Sequence, residues 1–490
     1  MNVPIPRHDS LVFVDLETTG ANFVNDRIIE IGLVEVDGDD VREWSRLVDP
    51  EGPISPFIAR LTGIDAAMLE SAPTFAQLAP EILEKLRGRL FVAHNARFDY
   101  GFLKHEFGRV GIDFHATRLC TVKLSRALFP GHRRHNLDTL IGRFGIAVDG
   151  RHRALADARA LWELWRRWHA LLPAETIRAA VERIAGRPEL PPRLDAARFD
   201  DLPETPGAYA VFGQDGAPLA VKRASNLRRQ VFAHFSLDRR DSALARGAWR
   251  IEWREAAGEL GARLRELELA RTPHRPPEDL CSWQLVRHGE GDFRPALVFA
   301  RDVDFARAED LFGLYRAPKE AIQVLRKLAE AHRLCLRLTG LEESRAGEPC
   351  AAYGRGLCRG ACVGKETVSL HSARLMTALA RHRIRPWPHP GPIALIERDE
   401  FGMREDAHVI DEWAYLGTAS DEAALDALFE IASAREDSGI PRFDPDIYRI
   451  VGKCLRDGRL ETLTPAQRAS GQRPFSSARE KGFAGGADTG

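Results

Sequence analysis

The apolar run Leu11-Val12-Phe13-Val14 turns polar at Asp15 and reaches a turn-forming glycine at Gly20, the pattern of a buried strand coming to its end. A second run, Leu90 to Ala93, leads through His94 and Asn95 into a segment that reads as loop and helix start around Asp99. From Ala154 to Leu172 the apolar positions Ala158, Leu161, Trp165, Trp168 and Leu172 recur every three or four residues, so they form one face of a helix that stops at Pro173. A short helical stretch follows, and the prolines and glycine between Gly186 and Pro192 predict a stiff linker, with residues 176–199 joining two domains.

Beyond Asp200 the pattern changes. Two short apolar segments flank the turn Gly213–Gly216 and predict a hairpin, after which Ser225 can cap a helix carrying Leu227, Val231 and Phe235. Further on, Leu370 to Ile384 reads as helix, Pro392 to Arg398 as strand, and Asp421 to Ala434 as a helix bearing Leu425, Leu428 and Ile431. From Thr464 to Gly490 there is no apolar period, so a disordered tail is expected.

A length of 490 residues exceeds one ordinary core and points to roughly three domains. The formal net charge of −1 means that any affinity for nucleic acid must come from local basic surface. Candidates are Arg133, Arg134 and His135 in one loop and the stretch Arg223 to Arg240. The first ten residues lack the apolar core of a signal peptide, and no run is long enough to span a bilayer, so a cytoplasmic protein without membrane contact is expected. In that reducing setting, four of the seven cysteines gathered between Cys335 and Cys362 argue for a metal centre over disulfides.

The acids supply the sharpest chemistry. Asp15 and Glu17, two apart on a strand, share a face and can converge on one cation. With Asp99 and Asp157 they make four carboxylates, the donors that hard Mg²⁺ or Mn²⁺ prefers, and two such ions suit phosphodiester hydrolysis. His152, just ahead of the helix, is the candidate general base. Taken singly, an acid pair at a strand end is usually a solvated edge; three matching fragments in order favour an enzyme.

At these residues the chain resembles the DnaQ-like exonucleases of the DEDDh class, which include the epsilon subunit of bacterial DNA polymerase III. Asp15-Leu16-Glu17-Thr18-Thr19-Gly20, His94-Asn95 to Phe98-Asp99 and His152 to Asp157 follow the family's motif order. The resemblance implies an RNase H-like fold over residues 1–175 and removal of nucleotides from 3′ ends by two Mg²⁺ or Mn²⁺ ions.

Residues 200–285 resemble the GIY-YIG nuclease domain of UvrC and Cho, a small α/β unit. Tyr209 fits that family's first tyrosine and Glu266 its metal-binding glutamate, whereas Ala220 replaces the second tyrosine, Arg223 the lysine and Gln230 the arginine. Alanine cannot move a proton and glutamine lacks the charge to stabilise a phosphorane, so a nucleolytically weak or dead unit is expected. Residues 286–463 resemble the mixed α+β UvrC/Cho region. There Cys335, Cys350, Cys358 and Cys362, spaced C-x14-C-x7-C-x3-C, suit an iron–sulfur cluster or Zn²⁺ on their chemistry, and the resemblance implies a [4Fe-4S] cluster. Cys120, Cys281 and Cys454 are expected to be packing residues.

The expected whole is a multidomain α/β exonuclease acting on DNA, on single strands or 3′ ends, in proofreading or repair, with RNA as an alternative substrate and repair or polymerase proteins as partners. Its rivals are a two-nuclease excision enzyme and a DNA-damage-binding protein.

Overall fold

The structure, a computed structural model, describes residues 10–475 apart from 189, 237–238, 240–241, 271–278, 344–347 and 435–442. β1 (Ser10–Thr18) pairs antiparallel with β2 (Ile28–Asp37), and β2 with β3 (Asp40–Leu47). On its other side β1 runs parallel to β4 (Leu90–Ala93), and β4 to β5 (Arg118–Cys120). The order β3-β2-β1-β4-β5 is the mixed sheet of an RNase H-like fold.

Because strand side chains alternate, Val12, Val14 and Leu16 enter one core with Phe102 and Phe107 of α1 (Arg97–Arg109). Leu11 and Phe13 enter the opposite core with Leu161 and Trp165 of α2 (Ala154–Leu171). Phe13 lies 5.4 Å from the ring of Trp162 and 6.1 Å from that of Trp165, tilted and edge-on, so the helix is seated on this strand by aromatic packing.

Much of the expected linker is folded. In α3 (Ala174–Ala185), Ile177, Ala180, Val181 and Ala185 are buried in the same core as Trp168, because their helical spacing forms an apolar face that must be covered. A second sheet follows, of β6 (Gly207–Phe212), β7 (Pro218–Ala224) and β8 (Arg250–Glu255) in the order β7-β6-β8. The helix after the hairpin, α4 (Leu227–Phe232), is capped by Asn226, whose side chain accepts from the Arg229 N–H at 2.8 Å, and not by Ser225. α5 (Glu259–Ala270) packs on β6 and β7.

The third sheet joins β9 (Cys281–Gly289), β10 (Asp292–Phe299) and β11 (Leu311–Tyr315), and packs with α6 (Pro318–Ala331) and α7 (Val368–Leu379) around the four clustered cysteines. The last sheet, β14-β13-β12-β15, comprises β12 (Ile393–Arg398), β13 (Glu405–Asp411), β14 (Ala414–Ala419) and β15 (Glu461–Leu463). The tail expected to be disordered from Thr464 is ordered as far as Phe475. Thr464 and Gln467 form a capping box on the helix Pro465–Ala469, and Phe475 is buried beside Ala394 and Leu425. The rest of that expectation lies outside the described residues.

Buried acids join these units. Glu397 accepts the N–H groups of Leu260 and Gly261 at 2.9 and 2.8 Å, capping the start of α5, and Asp406 accepts that of Ala257 at 2.8 Å. Asp201 gathers the Tyr100 hydroxyl (2.8 Å), Lys104 Nζ (2.6 Å) and His115 Nδ1 (2.5 Å) from the first domain. Asp399, from the turn between β12 and β13, grips Arg97 at 2.5 Å at the start of α1, and Met403 of the same turn is buried in the core of Val12 and Phe102. No helix among the described residues is long and apolar enough to cross a membrane.

The Arg97–Asp399 pair leaves little of either side chain open to water, so removing one partner strands the other. Asp399→Ala is expected to destabilise the protein by about 1–3 kcal/mol, measured by urea unfolding. The apolar pair Arg97→Met with Asp399→Leu should recover the part due to the stranded guanidinium but not the loss of the Met403 N–H bond that Asp399 also accepts at 2.7 Å; an Asp399→Ala midpoint equal to wild type would contradict the latch.

Candidate active site

Asp15 and Glu17 extend the Leu11–Phe13 face of β1, the face that α2 covers. Asp157 occupies the first turn of α2, one and two turns ahead of the buried Leu161 and Trp165, so the stripe that seats the helix also directs this acid toward β1. Asp99 enters from the first turn of α1, immediately after β4. Asn95 makes the turn between them in a left-handed conformation (φ 62°), which asparagine tolerates.

Two residues of β2 let α2 come this close. Gly32 stands opposite Asp15 in the ladder, and a Cβ there would lie 2.2 Å from the backbone carbon of Ala154. Glu30 stands opposite Glu17, is 2 % exposed, and receives the Arg153 guanidinium at 2.7–3.2 Å and the Ala154 N–H at 2.9 Å. The helix start is therefore clamped from side chain and backbone together.

Donor atoms of Glu17, His152 and Asp157 lie within 4.8 Å of one another. Asp15 and Asp99 complete the cluster through charge. Burial, then Asp99, Asp157 and Glu17, drive the Asp15 carboxyl well above its usual range. Burial, then Asp157 and Glu30, push Glu17 up to about 8. Asp99 is also raised well above normal, by burial first and Glu17 next, against backbone hydrogen bonds. Asp157 is raised by burial, with Arg151 opposing. Arg151 is the cluster's counter-charge: it pairs with Asp157 and reaches Asp138 at 2.7 Å. Arg151 in the cluster and Arg153 at its edge, the latter bound to Glu30, do not balance the four carboxylates and Glu30, so the site is short of positive charge, and its hard oxygen donors fit divalent Mg²⁺ or Mn²⁺.

His152 is partly exposed and held at φ 61°, a left-handed backbone that disfavours a side chain by roughly 1–2 kcal/mol. Its strain is consistent with a residue placed for function over stability. The neighbouring His94 has a different part: its Nδ1 lies 2.9 Å from the Thr121 hydroxyl, and burial, followed by the nearby Arg151, lowers it to about 4, so it stays neutral. Arg151, Glu30 and Gly32 escaped the sequence reading. The signal for Glu30 and Gly32 was an acid and a glycine inside the apolar run from Ile28 to Val34.

Of the residues expected to form a GIY-YIG-type centre, Arg223 and Glu266 meet, their side chains 3.8 Å apart, while Tyr209 lies on the other face of the hairpin. Tyr209 pairs across the ladder with Lys222, and Ala208 with Arg223, so Tyr209 and Arg223 point to opposite faces. The Tyr209 ring is fully buried, with its hydroxyl 2.6 Å from His234 Nε2. Glu266 lies on α5 and accepts the Arg223 backbone N–H at 3.3 Å. Of the basic patches considered, His135 is a core residue bonded to Ser125 at 2.8 Å, and Arg228 is buried with its guanidinium 3.1 Å from the Asp200 carbonyl.

Cys335, Cys350, Cys358 and Cys362 do converge, with all four sulfurs within 4.8 Å of one another. Backbone N–H groups of Cys350 and Gly360 point at Cys362 Sγ (3.4 Å) and Cys358 Sγ (3.3 Å), and Gly360 makes the turn at φ 87°. Burial pushes Cys358 up to about 11, while backbone and thiol hydrogen bonds outweigh burial at Cys350 and lower it. Four mutually close thiols, with N–H donors trained on two of the sulfurs, form a soft donor set suited to a metal.

Comparison with known proteins follows the same division. Residues 12–165 match the family described as Exonuclease, 280–381 the UvrC/Cho excinuclease middle domain, and 392–469 the excinuclease Cho C-terminal domain. Excinuclease cho of Shigella flexneri is 35 % identical over 285 residues, 56 % of this chain and 91 % of that protein. A Mycobacterium tuberculosis protein whose name pairs exonuclease with endonuclease is 34 % identical over 358 residues, 68 % of this chain and 53 % of its own length. A PolC-type DNA polymerase III of Caldanaerobacter subterraneus is 40 % identical over 155 residues, 31 % of this chain and 11 % of the polymerase. The chain belongs to the Cho excinuclease family and carries an exonuclease-family nuclease domain ahead of its UvrC/Cho-type domains.

Proposed function

We propose that the protein is a DNA repair or proofreading nuclease that removes nucleotides from 3′ ends at the cluster of Asp15, Glu17, Asp99, Asp157 and His152. The observation that carries this reading is the convergence of those acids beside an imidazole, with Arg151 paired to Asp157 and too little positive charge to balance the rest. Asp15, Glu17, Asp99 and Asp157 would hold two Mg²⁺ or Mn²⁺ ions, which when bound supply the positive charge that stabilises the pentacoordinate phosphorus and the leaving oxygen. His152 takes the proton from the attacking water, imidazole being the side chain that exchanges protons near neutral pH. Glu30, Gly32 and Arg153 position the helix that delivers Asp157.

DNA is favoured over RNA as substrate by the attached Cho-type domains, whose relatives are named excinucleases. The unit around Tyr209, Arg223 and Glu266 is read as a non-cutting element that helps hold DNA, since Tyr209 and Arg223 face opposite ways and Ala220 and Gln230 cannot supply the missing chemistry. The family itself favours the second reading, a two-nuclease excision enzyme. A 5′-labelled strand with a mismatched 3′ end and Mg²⁺ separates the two. Progressive shortening from the 3′ end that Asp15→Ala abolishes and His152→Ala slows by about 10²–10⁴-fold is expected. Internal cuts in lesion-bearing duplex that survive Asp15→Ala but vanish in Glu266→Ala would establish the alternative.

Gly32→Ala tests the positioning of α2. The added methyl should force the helix start away from β1 and lower kcat by about 10²-fold, with the unfolding midpoint as a control. Unchanged turnover would mean that Asp157 needs no such close approach.

The four cysteines are read as a metal centre. Their compactness favours one tetrahedral Zn²⁺, whose bonds of about 2.3 Å set sulfurs about 3.8 Å apart; the UvrC/Cho resemblance favours a [4Fe-4S] cluster, with each thiolate on its own iron. Anaerobically purified protein is expected to hold metal that Cys350→Ser removes, with iron, labile sulfide and visible absorption for the cluster or stoichiometric zinc for the single ion. A folded wild-type protein containing neither metal would end the reading.

A further inference from the structure

The turn after α6, the loop between Cys358 and Cys362 and the helix α7 enclose a cleft of about 310 Å³, lined by Ala331, His332, Arg333, Arg359, Arg374 and Thr377. Arg374 is spent on building it. Its Nε and Nη2 donate to the two oxygens of Glu366 at 2.9 and 2.5 Å, and its Nη1 donates to the carbonyls of His332 and Arg333 at 2.5 and 3.2 Å. This clamp ties the turn to α7 at a point where Arg333 is held in a left-handed conformation, φ 49°, that a non-glycine residue rarely takes.

Two guanidinia remain. Arg333 and Arg359 are exposed at the cleft, and neither side chain has an ion pair or hydrogen bond among the described residues. The segment that carries Arg359 is strongly basic: residues 351–385 contain seven Arg or Lys and one acid, Glu366, which Arg374 already neutralises, in a chain whose net charge is −1. Unpaired like charges gathered in one concavity repel one another, and an anion relieves that repulsion. The guanidinium fork matches phosphate oxygens in shape and charge.

We propose that this cleft is a docking site for the phosphodiester backbone of a nucleic acid strand, separate from the carboxylate cluster and independent of the exonuclease reading. Arg355 and Lys365 flank the cysteine loop on either side of Arg359 in the chain, which suits a polymer more than an isolated phosphate, and backbone contacts of this kind hold a strand without reading its sequence.

The test measures binding of the full chain to a fluorescent DNA oligonucleotide in EDTA, by anisotropy across a salt series, so no cleavage is involved. Arg333→Gln with Arg359→Gln should weaken binding several-fold and flatten the slope of log affinity against log salt by about 1–2, one contact being worth about 0.9. The corresponding double lysine variant keeps the charge and should retain most of the slope. Because Arg359 neighbours a cysteine, metal content and unfolding midpoint are compared, and if the metal is lost Arg333→Gln alone decides, with a slope change of about 1 expected. Unaltered affinity and slope overturn the proposal. So does protection of the cleft by inorganic phosphate in wild type, lost in the variants, with oligonucleotide binding unaffected, since that marks a site for small anions only.

Discussion

Four carboxylates held together in a largely buried pocket repel one another, and the first domain is organised to impose that unfavourable arrangement. Two come from the end of a central strand, one from the start of α1 and one from the start of α2, so no acid can relax without loosening the packing of its own element. The rise of Glu17 to about 8 reflects burial and the neighbouring Asp157 and Glu30, which outweigh the opposing charges of Arg151 and Arg153. Divalent cations would reverse the balance. The same crowding that opposes the bare cluster is what would make it a tight and selective holder of hard ions.

Aromatic packing and a missing side chain do the holding. Phe13 against Trp162 and Trp165 sets the helix on the sheet, and the absence of a Cβ at Gly32 lets its first turn lie against the strand opposite Asp15. Glu30 and Arg153 then lock the turn at the site's edge. The cost is concentrated in His152, whose backbone is left in an unfavourable conformation immediately beside the acids.

The later domains are connected to this site through charged groups removed from water. Asp399 holds the guanidinium of Arg97, two residues before Asp99, and Met403 enters the apolar core beneath α1. Glu397 and Asp406 anchor the start of α5 by accepting its free N–H groups, so the middle sheet is fixed to the last one. Motion of the Cho-type domains relative to the nuclease domain would have to break a half-buried ion pair and a buried methionine contact next to a metal-ligand candidate.

Local pattern carried much of this in the sequence. Hydrophobic runs located β1, β4 and α2, the acids and cysteines announced their chemistry by type and spacing, and the hairpin after Asp200 followed from its glycine turn, because each of these depends on neighbours close along the chain. Residues 176–199 and the segment up to Phe475 were harder, since α3 and Phe475 are ordered by distant cores that no local window contains. Arg151, Glu30 and Gly32 acquire their meaning only across a ladder or against a helix met more than a hundred residues later. Tyr209 and Arg223 show the reverse: plausible partners along the sequence, they are sent to opposite faces by a ladder register that pairing and burial alone decide.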